Sequence, residues 1–217
     1  MGAADRPKQY LDLKGRTVLE WAIAPFLRLS TCERIAVVLA AGDDRWRDLP
    51  VMKDARILTA KGGSERAQSV CAGLSALREF ASDDDWVLVH DAARPCLGDS
   101  DLKALITQVG DDAVGGLLAV RVVDTLKRAD EHGRVAETLP REGLWRALTP
   151  QMFRFGILQR ALAASAERRF AVTDECQAVE MLGLRPRLIT GSVNNLKITT
   201  PEDLEQAARI LSGRGHA

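Results

Sequence analysis

The chain has 217 residues, room for one α/β domain or two small ones, and its 30 lysines and arginines are matched by 30 aspartates and glutamates. That balance lacks the basic excess of a nucleic-acid-binding protein, and no apolar run reaches the roughly 20 residues that cross a membrane. Cys32, Cys71, Cys96 and Cys176 are scattered without a C-x-x-C pair and the chain holds only three histidines, so a structural zinc site is not expected and a reducing cytoplasm is.

The opening MGAADRPKQYLDLKG carries neither a strand pattern nor a cap for a first helix, and it leads straight into apolar periodicity over Thr17–Leu29, which predicts an amphipathic helix. RIAVVLA at Arg34–Ala40 is a β-branched run of the kind buried in a parallel sheet, and ARIL at 55–58 predicts a second strand. The turn TAKGGSE then opens a helix running from Arg66 to Phe80. DWVLVHDAARP at 85–95 is a buried strand that ends on polar residues and a proline; a helix near Ser100–Val109 and the strand GGLLAVRVV follow. This β-α repetition predicts a three-layer α/β fold in one domain over 1–217, a mostly parallel sheet with helices on both faces. Asp124–Arg146 breaks the rhythm. It is polar, turn-rich and alternating, and predicts a protruding β-arm with His132-Gly133 near its tip, either packed on a second subunit or free as a loop. Thr200 caps a last helix, with Pro201 in its first turn and Glu202 and Asp203 at its positive end, before the frayed tail SGRGHA.

In an open α/β sheet ligands bind beyond the carboxyl ends of the strands. Gly62, Gly63 and Ser64 lie there, between a strand and a helix start, where backbone N–H groups can approach an anion; the alternative is a plain turn. Asp91 and Arg94 of HDAARP should project at the mouth of the sheet, with Ala92 and Ala93 small enough for a ligand to lie close, or else form an ion pair that caps the next element. Lys8, Arg141 and Lys197 fall in loops, and together with the Gly-rich turn suggest a phosphate-rich ligand. There is no G-x-S-x-G, His90 reads as a core histidine, and His132 and His216 lie in a tip and a tail, so a nucleophilic triad is not expected. A phosphate nucleophile is already anionic at neutral pH and needs no general base. It needs cations to hold two repelling phosphates in line, and that demand fits the residues at hand.

Seven collinear stretches carry a resemblance. PKQYLDL (Pro7–Leu13), GGSERAQSVCAGL (Gly62–Leu74), VHDAARP (Val89–Pro95), DTLKR (Asp124–Arg128), LTPQMF (Leu148–Phe153), TDECQAVE (Thr173–Glu180) and NNLKITTPEDL (Asn194–Leu204) resemble, in this order and nearly end to end, the motifs of the 2-C-methyl-D-erythritol 4-phosphate cytidylyltransferase family. The resemblance implies a nucleotide-diphospho-sugar-transferase-like fold and the joining of methylerythritol phosphate to CTP in the non-mevalonate isoprenoid pathway, with Mg²⁺ as the divalent metal. It implies Lys8, Arg141 and Lys197 as catalytic cations, and Gly63, Ser64, Ser69 and Ala92 around the CTP nucleoside. Asp91, Arg94, Thr125 and Thr149 would hold the polyol phosphate, with Asp91 also near the metal. The β-arm would interlock a homodimer, bringing Thr125 and Arg141 to the site of the other protomer.

Two departures stand out. Pro140 replaces the aspartate usual before the arm arginine, and a proline fixes φ and removes an N–H. The strand and Gly-rich loop with which the family begins are expected to lie upstream of Met1-Gly2, through a mis-set start or a trimmed record, or else to be absent. A ribitol 5-phosphate cytidylyltransferase is the near alternative, and a non-catalytic nucleotide-binding or assembly protein the distant one.

Overall fold

A computed structural model describes residues 7–214; the Met1-Gly2 opening and His216 lie outside the described residues. Lys8–Tyr10 forms one 3₁₀ turn, followed by a small hairpin of β1 (Asp12–Leu13) and β2 (Arg16–Thr17) closed by Lys14 and Gly15, both at positive φ. Then come α1 (Val18–Leu27), β3 (Ile35–Leu39), β4 (Ile57–Lys61), α2 (Arg66–Leu77), β5 (Trp86–Val89), α3 (Asp99–Val109) and β6 (Gly115–Arg121). The arm is β7 (Leu126–Ala129) and β8 (Val135–Leu139). It is followed by β9 (Trp145–Arg154), α4 (Phe155–Glu167), α5 (Glu175–Glu180), β10 (Arg187–Thr190) and α6 (Pro201–Ser212).

The first helix, expected to start without a cap, has one. Thr17 and Glu20 form a capping box, with the Glu20 N–H donating to Thr17 Oγ1 at 3.2 Å and the Thr17 N–H donating to Glu20 Oε2 at 2.8 Å. Thr200 and Asp203 do the same for α6, where the sequence placed the cap.

The central sheet has the order β10-β6-β9-β5, and β3-β4 forms a separate parallel pair. The expected mostly parallel sheet is mixed: β10 and β6 run parallel, whereas β9 is antiparallel to both β6 and β5. The reason is local. β9 re-enters the sheet straight from the arm that β6 feeds, so the chain doubles back beside β6 instead of crossing over a face. Three of the four strands still share one direction, so their carboxyl ends lie on one side.

Side chains of β6 alternate between two cores. Leu117 faces α2, α4 and α5 with Leu74, Phe153, Phe155 and Leu158; Leu118 faces α3 with Leu102, Leu105 and Val109. These are the helix-sheet-helix layers. α1 spans two clusters, Ile23 lying in the one that holds Val37 of β3 and Phe26 packing against the one that holds Leu102, Leu118 and Met152. Among the described residues β3 pairs only with β4 and β5 only with β9, so each keeps one unpaired edge. No helix among the described residues is long and apolar enough to cross a membrane.

Candidate active site

The turn after β5 is held by a directed chain of hydrogen bonds. The Asp91 N–H donates to Thr149 Oγ1 at 3.1 Å, that hydroxyl lies 2.9 Å from His90 Nδ1, and His90 Nε2 lies 3.1 Å from the Arg94 carbonyl. A carbonyl only accepts, so Nε2 carries the proton and Nδ1 accepts from the Thr149 hydroxyl. Burial pushes the His90 pKa down to about 4, and the ring is neutral at pH 7.

Asp91, with 13% of its side chain exposed, is gripped by three cations. Lys197 Nζ lies 3.0 Å and Arg94 Nε 3.4 Å from Oδ2, and Arg66 Nη2 lies 3.3 Å from Oδ1. Burial alone would push the carboxyl pKa up; Lys197, Arg66 and Arg94 outweigh it and hold the value at about 2. The loop after β10 that carries Lys197 is sewn to this turn. Arg94 Nη1 donates to the Asn195 carbonyl at 2.8 Å, Asn195 Nδ2 to the Thr149 carbonyl at 2.7 Å, and the Ile198 N–H to the Ala93 carbonyl at 2.8 Å.

Arg66 joins this cluster to the Gly-rich turn, because it is the first residue of α2 and the turn Gly62-Gly63-Ser64 leads into that helix. The turn is close-fitting. The Gly62 N–H donates to the Leu39 carbonyl at 2.8 Å, and a Cβ on Gly63 would lie 2.4 Å from Gln68 Cβ. Gln68 Oε1 accepts from the Ser64 N–H at 3.0 Å, while Ser69 Oγ donates to the Glu65 carbonyl at 3.2 Å. Ala92 is exposed beside Asp91.

Of the residues named from the sequence, Asp91, Arg94, Thr149 and Lys197 converge, and Gly63, Ser64, Ser69 and Ala92 border them through α2 and the β5 turn. Lys8, Thr125 and Arg141 are not in that cluster. Lys8 is exposed on the turn whose Tyr10 hydroxyl donates to Asp43 Oδ2 at 2.8 Å. Thr125 and Arg141 lie at the exposed base of the arm, where Arg141 Nη1 donates to the Val123 carbonyl of its own chain. Sequence reasoning missed Arg66, and Glu175 behind it. The signal for Arg66 was available: a cation in the first turn of a helix is disfavoured by the dipole and calls for a partner.

The described residues do not fit a metal ion held by the protein. No group of three histidine, cysteine or acidic side chains comes together among them, and both Asp91 oxygens already face cations that would repel a dication.

The family model described as IspD, 2-C-methyl-D-erythritol 4-phosphate cytidylyltransferase, matches residues 1–213. The cytidylyltransferase of that description from Pseudomonas entomophila (strain L48) is 53% identical over 213 residues, covering 98% of this chain and 91% of that protein. The one from Pseudomonas fluorescens (strain SBW25) is 54% identical over 204 residues, covering 94% and 87%. A crystal structure of 4-diphosphocytidyl-2C-methyl-D-erythritol synthase superposes with a TM-score of 0.86 at 42% identity, over 94% of each chain. The Francisella tularensis cytidylyltransferase superposes with a TM-score of 0.85 at 35% identity, over 96% of this chain and 95% of that one. The chain belongs to the 2-C-methyl-D-erythritol 4-phosphate cytidylyltransferase family.

Proposed function

We propose that this protein transfers CMP from CTP to 2-C-methyl-D-erythritol 4-phosphate, giving 4-diphosphocytidyl-2-C-methyl-D-erythritol and pyrophosphate. A phosphate oxygen of the polyol attacks the α-phosphorus of CTP, the α–β bridging bond breaks, and the electron pair leaves with pyrophosphate. The nucleophile is an anion, so the site needs cations in place of a base. At the cluster, three cations face two carboxylates, Asp91 and Glu175, leaving one net positive charge at the strand ends. Asp91 orients Lys197 and Arg94 and accepts from polyol hydroxyls, and Lys197 takes the polyol phosphate. The small residues Gly63, Ser64, Ser69 and Ala92 receive the nucleoside. Lys8 meets charge that develops on the α-phosphate. Mg²⁺, when bound, would be held by the CTP phosphates rather than by these side chains and would supply charge neutralisation.

The arm completes the site in a homodimer. A lone two-stranded hairpin is marginal in water, yet β7 and β8 pair only with each other among the described residues, with Val123, Val135 and Leu144 exposed. Seating the arm on a second copy covers these side chains and carries Thr125 and Arg141 to the other protomer's Asp91 cluster, from which they are absent within one chain.

The single observation that carries the choice of polyol is the family match over residues 1–213, which favours methylerythritol phosphate over ribitol 5-phosphate. Pyrophosphate release, assayed with CTP and each polyol phosphate in parallel, tests it. Turnover with methylerythritol phosphate is expected; preference for ribitol 5-phosphate, or binding of CTP without turnover, contradicts it.

A further inference from the structure

Glu175 opens α5 with a side chain only 1% exposed, and among the described residues its side-chain hydrogen bonds go to Arg66. Both of its oxygens hold the guanidinium: Oε1 accepts from Nη1, and Oε2 from Nη2 at 2.9 Å. The same Nη2 donates to Asp91 Oδ1 at 3.3 Å, so Arg66 is shared between a buried carboxylate and the site carboxylate. α5 is itself fixed to β9. Gln151 Nε2 donates to Asp174 Oδ2 at 3.0 Å, and the Cys176 N–H donates to Gln151 Oε1 at 2.8 Å, two positions along the strand from Thr149.

A guanidinium bound at both ends by one carboxylate is held in plane and in place. With that carboxylate neutralised, the nearest anion left for the fork is Asp91. Arg66 would then turn to take both Asp91 oxygens and compete with Lys197 and Arg94 for Oδ2. Stability alone is a poor account of the pair, since buried ion pairs are often no better than apolar replacements.

We infer that Glu175 is a positioning residue: by holding Arg66 it keeps Asp91 Oδ2 turned toward Lys197, and so sets the geometry in which the polyol phosphate is received. The inference rests on the reading of Asp91 and Lys197 as the polyol phosphate site.

The test is steady-state kinetics toward both substrates, with Tm measured alongside, for the whole protein and for Glu175→Gln, Arg66→Met, the double variant and Lys197→Ala. Glu175→Gln is expected to lower kcat/KM for methylerythritol phosphate on the order of 10- to 100-fold, the scale of a small misplacement of reacting groups, with KM for CTP within about twofold. The double variant should be no worse than Arg66→Met, because Glu175 acts through Arg66. Equal losses toward both substrates tracking a lower Tm, unchanged kinetics, or additive losses would each overturn the inference. If Glu175→Gln does not fold, Arg66→Lys, which keeps the charge and breaks the fork, must show the same selective loss. Lys197→Ala separates the two readings. If it lowers kcat/KM for methylerythritol phosphate and Glu175→Gln does not, the inference alone fails; if neither does, the reading of the site fails with it.

Discussion

His90 shows how a half-buried neutral ring ties the geometry of the site to stability. Its two nitrogens are committed to the Thr149 hydroxyl and the Arg94 carbonyl, which fixes the turn that presents Asp91. The folded pKa is about 4, below the ordinary 6.5, so between those values the unfolded chain binds the extra proton. Stability from this group is therefore complete above pH 6.5 and falls as pH drops toward 4, by about 1.4 kcal/mol per pH unit. Urea unfolding of wild type and His90→Gln across pH 4–7 checks this: the wild-type curve should slope more steeply in that window, and parallel curves would contradict it. Asp91 has the opposite sense of dependence on its neighbours but a lower window. With a folded pKa of about 2, its contribution is present above the unfolded carboxylate range and is lost only as pH falls from about 4 through 2. The two groups thus do not overlap in pH.

At the scale of elements, the turn between β4 and α2 is the tightest part of the site. Gly63 has no room for a side chain, because a Cβ there would lie 2.4 Å from both Oε1 and Cβ of Gln68, and that Cβ is the root of the side chain, in the first turn of α2. Gly63→Ala must therefore move the turn or the helix, and should raise KM for CTP on the order of tenfold while leaving methylerythritol phosphate binding nearly unchanged. Saturation kinetics with each substrate varied in turn checks it; an unchanged KM for CTP would show that the turn does not touch the nucleotide. Most of this layout was legible in the sequence. The Gly-Gly turn, the HDAARP strand end and the NNLKITT loop each lie where a strand ends, and ligand-facing residues in an open sheet come from there. What was not legible depends on contacts far apart in the chain. The direction of β9 follows from pairing with β6 and β5, which no local pattern encodes, and Glu175 sits 109 residues from Arg66 on a helix whose acidic start looks like an ordinary dipole partner. Thr17 was missed for a different reason. The Thr-x-x-Glu box is local and readable, but the apolar run beginning inside it drew the helix start one residue early.

For the whole molecule, the three strands that share a direction gather Asp91, the Lys197 loop and the neighbouring Gly-rich turn on one side of the sheet, with helices closing both faces. The arm leaves that body as a cross-strand ladder steadied by Arg128 against Glu137 at 2.6 Å, and its Val123, Val135 and Leu144 are exposed among the described residues. Under the proposed function, the Asp91 cluster of one protomer is completed by the arm of the other. Mixing two inactive proteins, Arg141→Ala and Asp91→Ala, tests this most directly. Random exchange gives mixed dimers with one intact site each, so about a quarter of wild-type pyrophosphate release should return. No recovery, with subunit exchange demonstrated by differently tagged chains, would contradict the account.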